Sequence, residues 1–279
     1  MKNRAKLLAY PYAVWMAIFI VVPLLLVFVI SITEGNVRDL GSLKLSTKSY
    51  AKFFDPMYMS IIWRSFYLAF ISTAICLVLG YPVAYIIAKE KVSRRNGLLM
   101  FFLVPIWMNF LLRTYAWMTL LSKNGIINKF LGIFGIEPLN LMPSTGAVVM
   151  GMVYNFLPFM VLPIYTVLTK IDKSVVEAAM DLGAGKVGVF LKVIFPLSIP
   201  GVFSGITMVY MPAVSTFVIS KLLGGGKELL IGNLIEQQFT VQGDWHFGSA
   251  LSIILMVIIL ISMLFMPGND TEEGGASMW

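Results

Sequence analysis

Long uncharged stretches alternate with shorter charged segments along almost the whole chain. Six of these stretches are uncharged or nearly so, and each is long enough to cross about 30 Å of hydrocarbon as a helix of roughly 20 residues. They run approximately over residues 12–32, 65–88, 97–121, 145–168, 199–220 and 247–266. The pattern predicts an all-α integral membrane protein whose six transmembrane helices form a single domain over residues 1–279.

Composition agrees with this fold class and excludes others. Of the 279 residues, 58% are hydrophobic and 13% are charged, and the mean hydropathy of +0.86 is too high for a soluble globule of this length. The net charge of +7 does not indicate nucleic-acid binding, because the basic residues lie beside the apolar stretches. The single cysteine, Cys76, lies inside such a stretch and can form no internal disulfide.

The distribution of lysine and arginine predicts the orientation in the membrane. Basic residues are dense at the N-terminus and in the second and fourth connections, where they are Lys2, Arg4, Lys6, Lys89, Lys91, Arg94, Arg95, Lys170, Lys173, Lys186 and Lys192. Cytoplasmic loops carry such an excess, so both termini and residues 169–197 are predicted to be cytoplasmic. The tail from residue 268 to 279 runs against the trend, since it carries Asp270, Glu272 and Glu273 and no basic residue.

The connection at residues 169–197 predicts a short amphipathic helix over about residues 175–182. Ser174 precedes Glu177 by three positions, the spacing of a capping box, and Gly183 stands where a helix stop favours a left-handed residue. Glu177 and Asp181 lie one turn apart and repel each other, so a cationic partner is expected near them. On spacing alone, a capped helix lying on the membrane surface is an equal alternative to a docking element.

The same segment resembles a known motif. Glu177-Ala178-Ala179, then Gly183, then Ile194-Phe195-Pro196 is similar to the EAA loop of ABC-importer permeases. The resemblance implies the MetI-like permease fold of type I ABC importers. It also implies that residues 169–197 form a cytoplasmic coupling loop that docks on a separate ATPase subunit. The coupling residues carried over are Glu177, Ala178, Ala179, Asp181, Leu182 and Gly183.

Three further segments resemble more specifically the permeases of bacterial spermidine/putrescine importers. They are NFLLRTYAW at 109–117, LPFMVLPIY at 157–165 and DWHFG at 244–248, and the resemblance covers nearly the full length except the acidic tail. It implies that this chain forms half of a translocation pathway and lies in the lipid of the bacterial cytoplasmic membrane. The implied partners are a second permease subunit, a dimeric ATPase and an extracytoplasmic polyamine-binding protein.

The polar and aromatic residues of the predicted spans include groups that could bind a polyamine along a pathway. A polycation is bound by aromatic faces or by carboxylates, and the six predicted spans contain no aspartate or glutamate. Each aromatic residue has core packing as its alternative role. The candidates for the pathway are Trp107, Asn109, Tyr115, Trp117, Tyr154 and Asn155, with Glu236 and Asp244 at the outer mouth.

Arg113 is the only charge well inside a predicted span. Charges at membrane depth are costly and usually functional, although a long arginine stem can also extend to the interface. Both roles remain open from the sequence. Beside a polycation pathway, we expect Arg113 to point away from the path or to pair with an acid.

The sequence contains no set of residues that predicts catalysis. His246 is the only histidine, and Gly224-Gly225-Gly226 lacks the Lys-Ser/Thr that follows a phosphate-binding loop. We therefore expect a transporter subunit without its own cofactor, with ATP and magnesium bound by the partner ATPase. The alternatives are a permease for another small solute such as an inorganic anion or iron, an ATP-independent channel, and, least favoured, a membrane enzyme.

Overall fold

The computed structural model describes residues 10–37, 39, 41, 43–226 and 228–264. Several predictions from the sequence fall outside these residues. They concern Lys2, Arg4, Lys6 and the acidic tail.

The described chain is almost entirely helical, which confirms the all-α prediction. One short antiparallel ladder pairs β1 (Thr33–Glu34) with β2 (Lys44–Leu45). The helices are α1 Tyr10–Ser31, α2 Lys48–Phe53, α3 Pro56–Lys89, α4 Val92–Trp107, α5 Phe110–Leu121, α6 Ile126–Ile133, α7 Thr145–Lys170, α8 Lys173–Asp181, α9 Lys186–Ser215, α10 Val218–Leu223, α11 Ile231–Gln237 and α12 Trp245–Leu264.

The helices that can cross a membrane extend beyond several of the apolar stretches. Within the described residues, five helices are long and apolar enough to span, namely α1, α3, α7, α9 and α12. A sixth span results if the bent pair of α4 with α5 and α6 counts as one. α3 begins before residue 65 and α9 before residue 199, because charged and polar residues at a helix end can lie outside the hydrocarbon.

The third apolar stretch, predicted as a span over residues 97–121, is divided between two helices. α4 ends at Trp107, and the segment from α5 through α6 leaves it at an angle of 94°. Pro105 lies in the last turn of α4, and Met108 has an extended backbone. The Asn109 side chain then accepts a hydrogen bond from the Leu111 N–H at 2.8 Å and starts α5 as its N-cap.

The chain divides into two compact units, and the smaller comprises residues 1–61 and 234–261. Inside it, the start of α12 is fixed by polar contacts. The imidazole of His246 lies 2.9 Å from the Ile30 carbonyl oxygen and 3.0 Å from that of Gly35. Lys52 pairs with Asp244 at 3.2 Å, so the loop that precedes α12 is tied to α2.

The larger unit, residues 62–233 and 262–279, is built around the packing of α7 against α9. Met160 of α7 is fully buried, and two other helices meet it through glycines. A Cβ added at Gly205 would lie 2.7 Å from the Met160 sulfur and 3.2 Å from its carbonyl oxygen, and one added at Gly80 would lie 3.0 Å from Met160 Cγ. Membrane helices associate largely by such close packing, because lipid is as apolar as their side chains.

We predict that Gly205→Leu destabilises the larger unit, because the new side chain must displace Met160 and the backbone beside it. Overpacking of this kind costs about 1–3 kcal/mol. The measurement is the melting temperature of the purified protein in detergent. Gly97→Leu is the control, since nothing lies within 4 Å of a Cβ added at that helical position. Equal melting temperatures for the two variants would contradict the close α7–α9 contact.

Candidate functional site

The short helix α8 lies between α7 and α9 in sequence and begins earlier than predicted. Its N-cap is Asp172, whose Oδ1 accepts the Ser174 N–H at 2.9 Å. Ser174, predicted as the cap, lies in the first turn, so the capping-box assignment with Glu177 was wrong. Aspartate is the more favourable cap here because its negative charge also interacts with the positive end of the helix dipole.

The end of α8 agrees with the prediction. Gly183 has a φ of +85°, and its N–H donates to the Met180 carbonyl at 2.9 Å. The Ala184 N–H donates to the Ala179 carbonyl at 3.1 Å. These bonds satisfy the free carbonyls of the last turn, and the left-handed position at Gly183 would strain any residue with a Cβ.

No residue of α8 is buried, so the helix presents most of its surface outside the chain. Glu177, Ala178 and Asp181 are exposed, and Leu182 is 89% exposed. Beyond Gly183, Val187 and Leu191 are exposed as well. A polar connection that exposes several large apolar side chains is typical of a surface that another molecule covers.

Beside α8 lies a cavity of about 470 Å³, which we call the inner cavity. From α8 it is lined by Lys173, Val176, Glu177 and Met180, and the other walls come from the adjoining ends of α3, α4, α7 and α9. Cationic side chains line it too, yet neither Glu177 nor Asp181 has an ion-pair partner within 4.0 Å among the described residues. The cationic partner expected for these carboxylates is therefore not supplied by this part of the chain.

The aromatic and amide candidates for a pathway fall into separate groups. The rings of Trp117 and Tyr154 meet edge to face at 5.3 Å, where α5 contacts α7. Asn155 is 2% exposed and donates to the Gly151 carbonyl at 2.8 Å, whereas its Oδ1 has no partner in the described chain. Trp107 is 78% exposed and Tyr115 is also exposed. Asn109 caps α5, so its amide already has a structural function.

Glu236 and Asp244 belong to the smaller unit. Asp244 pairs with Lys52, and its Oδ1 accepts the Phe247 N–H at 3.0 Å, which caps α12. Glu236 lies in α11. Their assignment to an outer mouth remains a prediction.

Arg113 is buried in α5 with 8% of its surface exposed. Its Nε and Nη1 atoms have no hydrogen-bond partner, and no carboxylate of the described chain lies within 4.0 Å of it. The expected pairing of Arg113 with an acid is therefore not found in the described part of the chain. The guanidinium does not extend to the surface of the chain either, and a buried unpaired cation is costly.

Sequence reasoning missed one ion pair in the larger unit. Arg64 of α3 pairs with Glu228, and the Thr145 hydroxyl donates to the other Glu228 oxygen at 2.7 Å. These contacts connect the segment after the glycine turn that follows α10 to Arg64 of α3 and to the start of α7. The three residues are far apart in sequence and no local pattern connects them, so only the fold brings them together.

In the described residues, no three His, Cys, Asp or Glu side chains form a cluster that could hold a metal.

Comparisons with known proteins agree on one family. The family model described as "Binding-protein-dependent transport system inner membrane component" matches residues 80–267. The chain is 38% identical over 269 residues to the spermidine/putrescine transport system permease protein PotB of Salmonella typhimurium (strain SL1344), covering 95% of this chain and 94% of that protein. PotB of Escherichia coli (strain K12) is 39% identical over 252 residues, covering 90% and 92%.

A solved structure shows the same fold at much lower sequence identity. The crystal structure of a bacterial ABC transporter involved in the import of the acidic polysaccharide alginate contains a chain with a TM-score of 0.80 and 15% identity. The alignment covers 95% of this chain and 94% of that one. This similarity confirms the permease fold over nearly the whole chain.

We predict that Asp172→Ala loosens the first turn of α8, whereas Ser174→Ala leaves it intact and Asp172→Asn largely restores it. The check is hydrogen exchange of the amides at the start of α8, followed by mass spectrometry. Equal protection in the Asp172→Ala and Ser174→Ala variants would contradict the Asp172 cap.

The same cap predicts a pH dependence. The Ser174 backbone N–H that donates to Asp172 lowers the pKa of this carboxyl. A depressed pKa means that the cap stabilises the folded helix above the unfolded-state pKa and that this contribution is lost as the pH falls through the folded-state value. Protection of these amides, corrected for intrinsic exchange, should fall in that acidic range in the wild type and stay unchanged in Asp172→Asn.

Proposed function

This chain belongs to the family of binding-protein-dependent transport system inner membrane components, and from that premise we propose that it is the permease subunit of an ATP-driven polyamine importer. The observation that carries the proposal is the identity of 38% to a spermidine/putrescine permease across 95% of the chain. Members of the family are transport components rather than enzymes. The substrate class is therefore spermidine, putrescine or a close polyamine.

The permease is a multi-pass protein of the inner membrane, and we propose that both termini face the cytoplasm. The basic connections before α4 and around α8 support this orientation, since cytoplasmic loops are rich in lysine and arginine. They lie on one side of the membrane if α4 with α5 and α6 counts as a single broken span. The coupling helix α8 then faces the cytoplasm.

In this proposal, α8 docks on a separate ATPase subunit. Three features support it: the helix is capped at both ends, its surface is largely exposed, and Ala178 with Ala179 leaves a shallow face for close approach. Leu182 is the apolar anchor, and Glu177 and Asp181 meet cationic groups of the ATPase. ATP and magnesium bind to that subunit, and this chain contributes no cofactor site of its own.

The close packing of α7 against α9 gives α8 a means of transmitting force. α8 is joined to α7 at Lys173 and to α9 at Lys186 by short connections. Movement of the docked helix therefore moves two packed helices together, which shifts the balance between inward-facing and outward-facing states. ATPase closure drives the cycle because it favours one of these states.

The complete importer has four kinds of subunit in this proposal. A second permease supplies the other half of the pathway, a dimeric ATPase supplies energy, and an external polyamine-binding protein delivers cargo. The description of the family as binding-protein-dependent supports the last of these. Specificity then resides mainly in the binding protein, and the permease needs only weak contacts with its cargo.

Aromatic faces supply those weak contacts. Trp117 and Tyr154 form one pair, and Trp107 and Tyr115 are exposed near the α4–α5 break. Each contact of a cation with an aromatic face is worth about 0.5–2 kcal/mol, which allows a polyamine to be held and then released. Glu236 and Asp244 attract the polycation at the outer entrance in this scheme.

One observation favours a second candidate cargo. The buried guanidinium of Arg113 has two donor atoms without a partner in the described chain, an arrangement that suits an anion better than a polycation. A related importer for an inorganic anion is therefore the alternative. An ATP-independent channel would differ from both, since it would conduct with this chain alone.

We predict that Glu177→Lys uncouples the ATPase from transport without preventing membrane insertion. Replacing an interfacial carboxylate by a cation leaves like charges facing each other, so spermidine uptake should fall by about tenfold or more. Uptake and ATP hydrolysis are measured together in vesicles that contain all four components. Glu137→Lys, a charge reversal in the loop after α6, is the matched control. Wild-type uptake by the Glu177→Lys importer would exclude the coupling role.

The cargo assignment has its own test. Vesicles with the second permease, the ATPase and the binding protein should take up labelled spermidine or putrescine only when this chain is present and ATP is supplied. Labelled phosphate and ferric iron are tested in parallel. Uptake of phosphate or iron but not of polyamine would assign the second candidate, and polyamine flux through this chain alone would indicate a channel.

A further inference from the structure

The inner cavity borders α8, and its lining includes Glu177 and Met180, which are also exposed residues of this helix. Its lining comes from α8 and from the ends of α3, α4, α7 and α9. All of these residues belong to the larger unit. In the proposed orientation, the cavity opens where these helices leave the cytoplasmic leaflet.

Cationic side chains outnumber carboxylates around the inner cavity. Lys89, Lys91, Arg95 and Lys173 line it, and Glu90 and Glu177 are the two acids. None of these six side chains forms an ion pair within 4.0 Å among the described residues. The cavity therefore carries an excess of positive charge that nothing in the described chain neutralises.

Arg95 is held in a fixed orientation at this cavity. Its Nη2 donates to the Ala88 carbonyl at 2.7 Å, and the guanidinium lies 5.9 Å from the Tyr165 ring centroid. The Nε atom is buried and has no hydrogen-bond partner in the described chain. One edge of this planar guanidinium is held by a carbonyl, while the Nε–H on another edge is free to donate. Such an arrangement is suited to binding the oxygens of a phosphate group.

The rest of the lining is apolar. Leu168, Ile171, Val176, Met180 and Ile194 provide hydrocarbon walls next to the cations. A free inorganic anion gains nothing from such walls. A glycerophospholipid has both a phosphate and acyl chains, so its chemistry matches the two kinds of lining.

We propose that the inner cavity binds the phosphate headgroup of an anionic glycerophospholipid from the cytoplasmic leaflet, with Arg95 and Lys89 as its main ligands. The proposal rests on the membrane orientation given under the proposed function. Basic recesses between membrane helices on the cytoplasmic side are suited to anionic headgroups. The bound lipid would fill the space between α8 and the helix ends and hold α8 in position for docking.

The test measures lipid retention by the four-component importer. The importer is reconstituted in nanodiscs of phosphatidylcholine with phosphatidylglycerol, extracted into detergent, and examined by native mass spectrometry for retained phosphatidylglycerol. Arg95→Gln and Lys89→Gln should each reduce the apparent affinity for phosphatidylglycerol by about fivefold, because each cation near an anionic surface contributes comparably. The double variant should lose roughly the product of the two effects.

Lys186→Gln and Lys192→Gln are the matched controls. Both lysines lie at the start of α9, on the same proposed cytoplasmic side but outside the lining of the inner cavity, so they report general attraction to an anionic membrane. Loss of retention in Arg95→Gln or Lys89→Gln with normal retention in both controls supports the site. Equal retention in all variants, or an equal loss in all of them, overturns it. If Arg95→Gln does not assemble, Lys89→Gln alone decides the outcome.

Two further measurements distinguish a lipid headgroup from free phosphate and the lipid site from the transport function. Inorganic phosphate is added at increasing concentration, and the proposal is overturned if phosphate binding depends on Arg95 and Lys89 while phosphatidylglycerol retention does not. Polyamine uptake is also compared in vesicles with and without phosphatidylglycerol, and stimulation should be present in the wild type and reduced in Arg95→Gln. Uptake in phosphatidylcholine alone tests the transport function by itself, so failure of the lipid site and failure of the transport proposal give different results.

Discussion

The close approach of α7 and α9 is the contact on which the rest of the larger unit depends. Gly205 and Gly80 both face Met160, and a Cβ would lie only 2.7 Å from the Met160 sulfur at the first position and 3.0 Å from its Cγ at the second. Because lipid gives no hydrophobic drive for helix association, this fit of small residues against a large one supplies much of the binding between helices. It also fixes the two attachment points of α8, so the position of this helix follows from the packing of α7 against α9.

The end of the larger unit around α8 carries charges of both signs. Glu177 and Asp181 have no cationic partner in the described chain, and Arg95 and Lys89 have no carboxylate partner. In a soluble protein such groups would be solvated surface charges that contribute little to stability. In our proposals, the same groups form two contacts. Exposed residues of α8 meet the ATPase, and Arg95 and Lys89 of the inner cavity meet a lipid headgroup.

The sequence predicted the parts of this structure that local chemistry determines. The apolar stretches identified the helices, Gly183 identified the end of α8, and the motif around Glu177 identified the family. The errors occurred where two local signals competed. Asp172 and Ser174 are both good caps, and only the geometry shows that the aspartate is used. The Arg64–Glu228 pair and the inner cavity were not predictable, because they join residues from distant parts of the chain that no local pattern relates.

The break between α4 and α5 has a consequence for the membrane interior. α4 has 16 residues and α5 has 12, so their lengths are about 24 and 18 Å, and neither crosses the hydrocarbon alone. If α4 with α5 and α6 counts as one broken span, the peptide groups around Met108 lie at a depth where lipid offers no hydrogen bonds. Irregular backbone at that depth persists only inside protein or next to water. In the proposed importer, water beside Trp107 would let a polyamine lose its hydration shell in steps.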